Sequence, residues 1–211
     1  MSVRSVLIID SHDIVRFGLE TLVLGCPALR LVGSAPTLAA GLRVIHERQP
    51  DLVLTDMSLR DSQGLDTVRT VVSAQSPRHT IVITTQDELL YGEQVLSAGA
   101  AGYVMKHAAQ ANVVPAALAV LAGQRWISPA LNAQLVNRVL QRRRPGEPVE
   151  ASLTARELQV LEHLKTGKTT KQIATALGIS ARTVDLYRAS IKKKLGLRTG
   201  AELIAFASQH L

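Results

Sequence analysis

Five short apolar runs, each followed by a stretch of helical spacing, fill roughly the first 120 residues of the chain. The runs are Val6-Leu7-Ile8-Ile9, Leu31-Val32-Gly33, Leu52-Val53-Leu54, Ile81-Val82-Ile83 and the shorter Tyr103-Val104-Met105. They show no polar alternation, so both faces of each strand need cover, which is the condition of a buried parallel sheet. Between them Ile14, Val15, Leu19, Leu22 and Val23 recur at helical steps, as do Leu38, Leu42 and Ile45. Further helices are expected near 65–75, 88–98 and 108–122. Repeated β-then-α units predict an α/β, doubly wound, five-stranded parallel sheet with helices on both faces. Aromatic residues make up only 3% of the chain against 46% apolar residues, so the cores must be built from Val, Ile, Leu and Ala.

In such sheets functional groups collect at the carboxyl ends of the strands. Those ends carry Asp10, Asp56, Thr84 and Lys106. Two neighbouring carboxylates repel unless a cation lies between them, and an oxygen-ligand set of this kind suits Mg²⁺. A lysine and a hydroxyl nearby would neutralise the oxygens of a phosphoryl group carried by one carboxylate. Asp56 is the natural acceptor, since it stands centrally at the end of the third strand.

The text changes after Gln141–Pro148, where three arginines precede two prolines and a glycine. Residues 1–122 are expected to form the first domain, 123–149 a partly helical linker and 150–211 the second domain. Pro129–Leu140 reads as a helix that closes the first domain or connects the two. Charge divides the same way. Residues 1–122 hold 9 Lys/Arg against 11 Asp/Glu, whereas residues 150–211 hold 10 against 5. A polyanion is therefore expected to meet the second half only.

That second half reads as an all-α domain of four helices. Thr154-Ala155-Arg156-Glu157 is a capping box, and Thr169–Gln172 repeats the device. Gly178-Ile179-Ser180 is a tight turn, with Ser180 capping a helix from about Ala181 to Leu195 that buries Val184, Tyr187 and Ile191. Helix, three-residue turn, helix is a helix-turn-helix. Its second helix is expected to expose Arg182, Asp185, Leu186, Arg188, Ala189, Lys192 and Lys193 to the major groove of double-stranded DNA, with Lys168, Lys171 and Thr183 near phosphates.

Several classes fall away. The longest apolar stretch, about 11 residues with Pro115 inside it, is short of the roughly 20 that a membrane helix needs. Cys26 is the one cysteine, so there is no intrachain disulfide, and a reducing, cytoplasmic setting is expected. No Gly-x-Gly-x-x-Gly fingerprint, no phosphate-binding Gly-Lys-Ser/Thr loop and no nucleophile–base pair is present, and the chain is not read as an enzyme. His46, His79, His163 and His210 read as surface residues, and His12 as a packing or hydrogen-bonding residue beside the pocket.

Leu7-Ile8-Ile9-Asp10, Pro50–Asp56 followed by Gly64, Ile83-Thr84-Thr85 and Ala98–Lys106 together resemble the receiver domain of two-component response regulators, a flavodoxin-like fold. Leu153–Glu157, Leu177–Ser180, Arg182–Val184, Lys194–Leu197 and Ala201–Leu203 resemble the LuxR-type output domain of the NarL/FixJ class. The resemblance implies that Asp56 accepts phosphate, from a sensor histidine kinase or a small phosphodonor. It implies that Asp10, Asp56 and the Ser58 backbone carbonyl hold Mg²⁺, that Thr84 and Lys106 contact phosphoryl oxygens, and that Tyr103 changes rotamer on activation. It further implies a homodimer on DNA, paired through a helix near Thr199–Gln209, and leaves RNA polymerase open as a further partner. Two departures stand out. Ser11 replaces the second of two adjacent acids, and Arg60 stands where the family has proline. A hydroxyl brings no charge to offset metal dehydration, so Mg²⁺ is expected to bind weakly. The alternative is a phosphorylation-independent dimeric transcription factor with a degenerate pocket.

Overall fold

The computed structural model describes residues 2–141 and 153–210. The boundary composition at 142–148 therefore lies outside the described residues. Contacts divide the chain into two units, residues 1–88 with 92–132 and residues 89–91 with 133–211.

The first unit begins β1 (Arg4–Ile9), α1 (Asp13–Leu24), β2 (Leu29–Ala35), α2 (Leu38–Arg48) and β3 (Leu52–Thr55). A small hairpin follows, β4 (Ser58–Leu59) and β5 (Ser62–Gln63), then α3 (Gly64–Gln75), β6 (His79–Thr84), α4 (Glu88–Ser97) and β7 (Gly102–Met105). A single 3₁₀ turn at Lys106–Ala108 leads into α5 (Ala109–Leu121), and α6 (Pro129–Gln141) comes after it. The five long strands form one parallel sheet in the order β2-β1-β3-β6-β7. Because the chain passes from β2 across β1 to β3, the strand order reverses between β1 and β3, which opens a crevice beyond their carboxyl ends.

The apolar runs hide a period of two. Val6, Ile8, Leu52, Leu54, Ile81 and Ile83 face α1 and α5, while Leu7, Ile9 and Val53 face α2 and α3. Both sets are nearly inaccessible to water, so each strand is apolar on two sides. Burying one such side chain is worth about 1.5–3 kcal/mol, and this doubled burial is what selects a three-layer arrangement. Residues 123–128, expected to open the linker, run beside the sheet edge instead: Trp126 N donates to Ala101 O and Tyr103 N to Trp126 O, at 3.0 and 2.9 Å.

The second unit contains α7 (Ala155–Lys165), α8 (Thr170–Leu177), α9 (Ala181–Leu195) and α10 (Gly200–His210). Thr154/Glu157 and Thr169/Gln172 close both capping boxes, and the Ser180 side chain accepts from Thr183 N. Gly178 ends α8 at φ 65°, a left-handed conformation that costs any other residue a Cβ clash. Leu158, Leu161, Ile173, Val184, Ile191 and Leu203 form its buried interior. Tyr187, expected to be buried, is only half-buried.

Gly41 of α2 is buried directly over Ile9, and a Cβ there would stand 2.4 Å from Ile9 Cδ1 and 2.9 Å from Cγ1. Gly41→Val is expected to destabilise the first unit by about 1–3 kcal/mol through overpacking, read as a lowered urea midpoint with an unchanged slope.

Candidate functional site

Level strand ends build the first site. Ile9 pairs with Thr55, and Thr84 with Met105, so the residues that follow leave the sheet together. Asp56 N donates to Ile9 O at 2.8 Å, which extends the β1–β3 ladder by one bond and fixes Asp56 beside Asp10. Both carboxylates are buried, Asp10 at 1% and Asp56 at 3% exposure. Such a pair is tolerated only with a cation between its members. Lys106, on the 3₁₀ turn after β7, supplies it. Its Nζ lies 2.7 Å from Asp56 Oδ2 in a hydrogen bond and 2.6 Å from Asp10 Oδ2 in an ion pair outside hydrogen-bond alignment.

The remaining oxygens are occupied locally. Met57 N donates to Asp56 Oδ1 at 2.7 Å. His12 N donates to Asp10 Oδ1 at 2.8 Å, and the His12 ring nitrogen Nδ1 stands 3.1 Å from the same oxygen. Asp10, His12 and Asp56 offer ligand atoms within 4.8 Å of one another, as a metal-binding cluster would. The third oxygen expected to face a metal, Ser58 O, instead accepts from Ser11 Oγ at 3.3 Å. The set fits Mg²⁺ poorly. Two carboxylates are in place, but the second acid is missing and its substitute caps the carbonyl.

Thr84 is fully buried at the end of β6, and its hydroxyl accepts from Gln86 N at 3.4 Å. Tyr103 is 1% exposed and donates to Gln86 O at 2.8 Å. Burial, and then the carboxylates of Asp87, Glu88 and Asp56, push its phenol well above the usual value, so it stays a donor. Sequence reasoning missed Arg16 and noted Arg60 without foreseeing its contact. Arg16 donates to Asp10 O at 2.8 Å, and Arg60 donates to Ser11 O at 3.4 Å. The Arg16 position, on the first turn after the pocket acids, was a usable signal; for Arg60 only its departure from the family pattern was.

The second site lies on α8 and α9. Arg182, Asp185, Leu186, Ala189, Lys193 and Lys171 are exposed, as expected. Four others are not: Arg188, Lys192, Lys168 and Thr183 are half-buried. Arg188 Nη1 donates to Thr170 Oγ1 at 2.9 Å, and that hydroxyl donates to Asp185 Oδ1 at 3.3 Å, so one threonine links the acid and the guanidinium. Thr183 Oγ1 lies 2.8 Å from Ser180 Oγ. Lys168 Nζ lies 3.1 Å from His163 Nδ1. His163, expected at the surface, is half-buried, and burial followed by the Lys168 charge lowers its pKa, leaving a neutral acceptor. Lys168, Lys171 and Arg188 border one groove of about 580 Å³.

Two family models match the chain, the response regulator receiver domain over residues 6–118 and the bacterial regulatory proteins, luxR family, over residues 151–207. The chain is a response regulator. Curated relatives include response regulator GacA of Pseudomonas aeruginosa, 33% identical over 205 residues and covering 97% of this chain and 95% of that one. Response regulator UvrY of Escherichia coli is 31% identical over 206 residues, with 98% and 94% covered. Among solved structures, RcsB from Salmonella enterica serovar Typhimurium, bound to promoter rprA in the presence of a phosphomimetic, shares the fold with a TM-score of 0.75 at 22% identity, covering 99% of this chain and 100% of that one. Response regulators with this output module are DNA-binding transcription regulators rather than enzymes, and receiver domains commonly bind Mg²⁺ in their acidic pocket. No helix among the described residues is long and apolar enough to cross a membrane.

One residue holds the output module together. Glu157, 3% exposed, accepts from Thr154 N, Ser190 Oγ and Lys194 Nζ, each at 2.6 Å, and so ties the start of α7 to α9. Burial opposes its ionisation, but the bonds from Lys194, Ser190 and Thr154 outweigh it and keep the carboxyl below the 4.5 of a free glutamate. Glu157→Ala, which removes the buried acceptor shared by Thr154, Ser190 and Lys194, is expected to cost about 3–5 kcal/mol. A depressed folded pKa adds stability that is complete above 4.5 and is lost as pH falls through the lower folded value. Urea midpoints of the C-terminal unit should therefore fall below about pH 4.5, and Glu157→Gln should flatten that dependence.

Proposed function

We propose that this response regulator is switched by a phosphoryl group on Asp56 and reads its operator with α9. The observation that carries the first half is Lys106 held between two buried carboxylates, a pocket whose charge balance changes when one carboxylate becomes an acyl phosphate. The Asp56 carboxylate attacks phosphorus, and the donor's P–N or P–O bond breaks; a sensor histidine kinase supplies the first kind of bond and a small acyl phosphate the second. Lys106 and the Thr84 hydroxyl take the new phosphoryl oxygens, and Tyr103 follows Thr84. Any Mg²⁺ that entered would be held by Asp10, Asp56 and the Ser58 carbonyl, and only weakly, because Ser11 brings no charge to offset its dehydration. In the cytoplasm the phosphorylated receivers pair, and two output modules align on half-sites.

On the DNA, Arg182, Asp185, Leu186, Ala189 and Lys193 face base edges. Lys168, Lys171, Thr183, Arg188 and Lys192 flank them on the phosphate side, Arg188 being committed to Thr170. The relatives support this reading: RcsB dimers have been solved bound to two parallel DNAs. A second reading, a dimeric regulator that needs no phosphate, is favoured by Ser11 and by the inward, hydrogen-bonded Tyr103.

Acetyl-phosphate treatment is expected to raise dimerisation and operator affinity by about tenfold, a shift of about 1.4 kcal/mol, and Asp56→Asn should abolish the gain. Equal dimerisation and affinity in treated protein and the variant would favour the second reading. In gel shifts log affinity should fall against log salt by about 0.9 per phosphate contact, with about 4–6 contacts per subunit, and Lys171→Ala should lower the slope by about one contact.

A further inference from the structure

Ser11 and Arg60 are two departures from the receiver pattern that lie on the same side of one pocket, and the structure joins them directly. Ser11 removes a negative charge. Arg60 adds a positive one and donates to the backbone carbonyl of that same Ser11 at 3.4 Å. Resting on the reading of Asp56 as acceptor, we infer that the phosphoryl charge in this pocket is offset by protein cations, Lys106 with Arg60, in place of a divalent metal.

Charge accounting is the first support. The carboxylates at the pocket and its rim are Asp10, Asp13 and Asp56; the cations that touch them or the loop after β1 are Lys106, Arg16 and Arg60. Asp61, beside Arg60, is committed elsewhere, accepting from Leu38 N and Ala39 N at 2.8 and 3.0 Å at the start of α2, while Asp87 and Glu88 act on Tyr103. Asp10, Asp13 and Asp56 are therefore matched by three protein cations with no added ion. A divalent cation is attracted by an excess of negative charge, and these three cations reduce that excess.

Placement is the second. Arg60 and Asp61 form the two-residue connection of the β4–β5 hairpin, in which Leu59 pairs with Ser62. The Asp61 bonds to α2 anchor that connection, so the exposed Arg60 side chain springs from a fixed point four residues beyond Asp56. Its guanidinium carries five N–H donors, of which the Ser11 contact uses one, leaving the fork free for phosphoryl oxygens. Guanidinium suits this task because it is always charged and presents its donors in a plane that matches a phosphoryl edge. The third support is on the metal side: Ser58 O, the neutral ligand a metal would need, already accepts from the Ser11 hydroxyl at 3.3 Å, and a metal would have to compete with that bond.

In the step itself an acyl phosphate transfers its phosphoryl group to the Asp56 carboxylate. The new P–O bond forms as the donor's P–O bond breaks, and the donor leaves as a carboxylate. No proton or electron is left over, and the developing charge on the equatorial oxygens falls on Lys106 and Arg60.

The test follows adduct formation by intact-protein mass spectrometry on the full chain with acetyl phosphate, in Mg²⁺ and in excess EDTA. The native chain should be modified at rates that differ by less than about threefold between the two conditions, against the large dependence that a metal-assisted site shows. Arg60→Gln should slow the EDTA reaction by about tenfold, with an unchanged melting temperature because the side chain is exposed. Ser11→Asp should restore the missing ligand, making the rate depend on Mg²⁺ by about tenfold or more and giving Mg²⁺ alone a measurable binding isotherm that the native chain lacks. Modification of the native chain only in Mg²⁺, or an Arg60→Gln rate in EDTA equal to the native one, would overturn the inference and leave Asp56 as acceptor. No adduct in either condition would overturn both.

Discussion

Two carboxylates buried at the ends of adjacent strands, Asp10 and Asp56, cannot both stay charged in a dry crevice without a cation. Lys106 is that cation, within 2.7 Å of each. Much of the first unit can be understood as what this arrangement requires. Parallel strands put the three residues at the carboxyl end of the sheet, and the strand-order reversal between β1 and β3 leaves room for them. The 3₁₀ turn after β7 carries the lysine inward. A group held this way is coupled to its neighbours: whatever binds or modifies Asp56 changes what Lys106 contacts, and Lys106 is one residue from the strand that carries Tyr103.

The output module solves a similar problem with a single carboxylate. Glu157 is buried, yet it accepts from a backbone amide, a hydroxyl and an ammonium on two helices, so its charge binds the unit instead of straining it. This leaves the outer face of α9 free to vary. Thr170 does comparable work between α8 and α9, where it fixes Arg188 while Arg182 and Lys193 stay exposed to solvent. On the proposed reading, base contact and support of the helix fall to different residues of the same fifteen-residue helix.

Much of the fold was legible in the sequence because strand and helix burial is written in local spacing. Val6–Ile9 and Ile81–Ile83 announce buried strands, and the capping boxes at Thr154 and Thr169 mark helix starts to the residue. What escaped depends on contacts between distant positions. The β4–β5 hairpin in Ser58–Gln63 has no alternation to betray it. Trp126, assigned to a linker, pairs with the edge of β7. Lys194 was overlooked as a partner of Glu157, although it lies three residues beyond the buried Ile191 and so near the inner face of α9. Arg188 was expected to be fully exposed because its spacing fits the outer face; the half-burial comes from Thr170 on another helix, which no local pattern reveals. In the pocket the four strand-end residues were named from topology alone, whereas the Ser11 to Ser58 bond, which bears most on the metal question, needed the fold.

Lys106 holds both carboxylates at once, and this shared contact organises the pocket. A double-mutant cycle of Lys106→Met with Asp10→Asn, read from urea denaturation of the first unit, measures that contact directly. A coupling of about 1–3 kcal/mol is expected, with Lys106→Met more costly than the double change because it leaves two buried charges unbalanced. A coupling indistinguishable from zero would mean that the ammonium and the Asp10 carboxylate do not interact in the folded protein, and the pocket described here would not exist in solution.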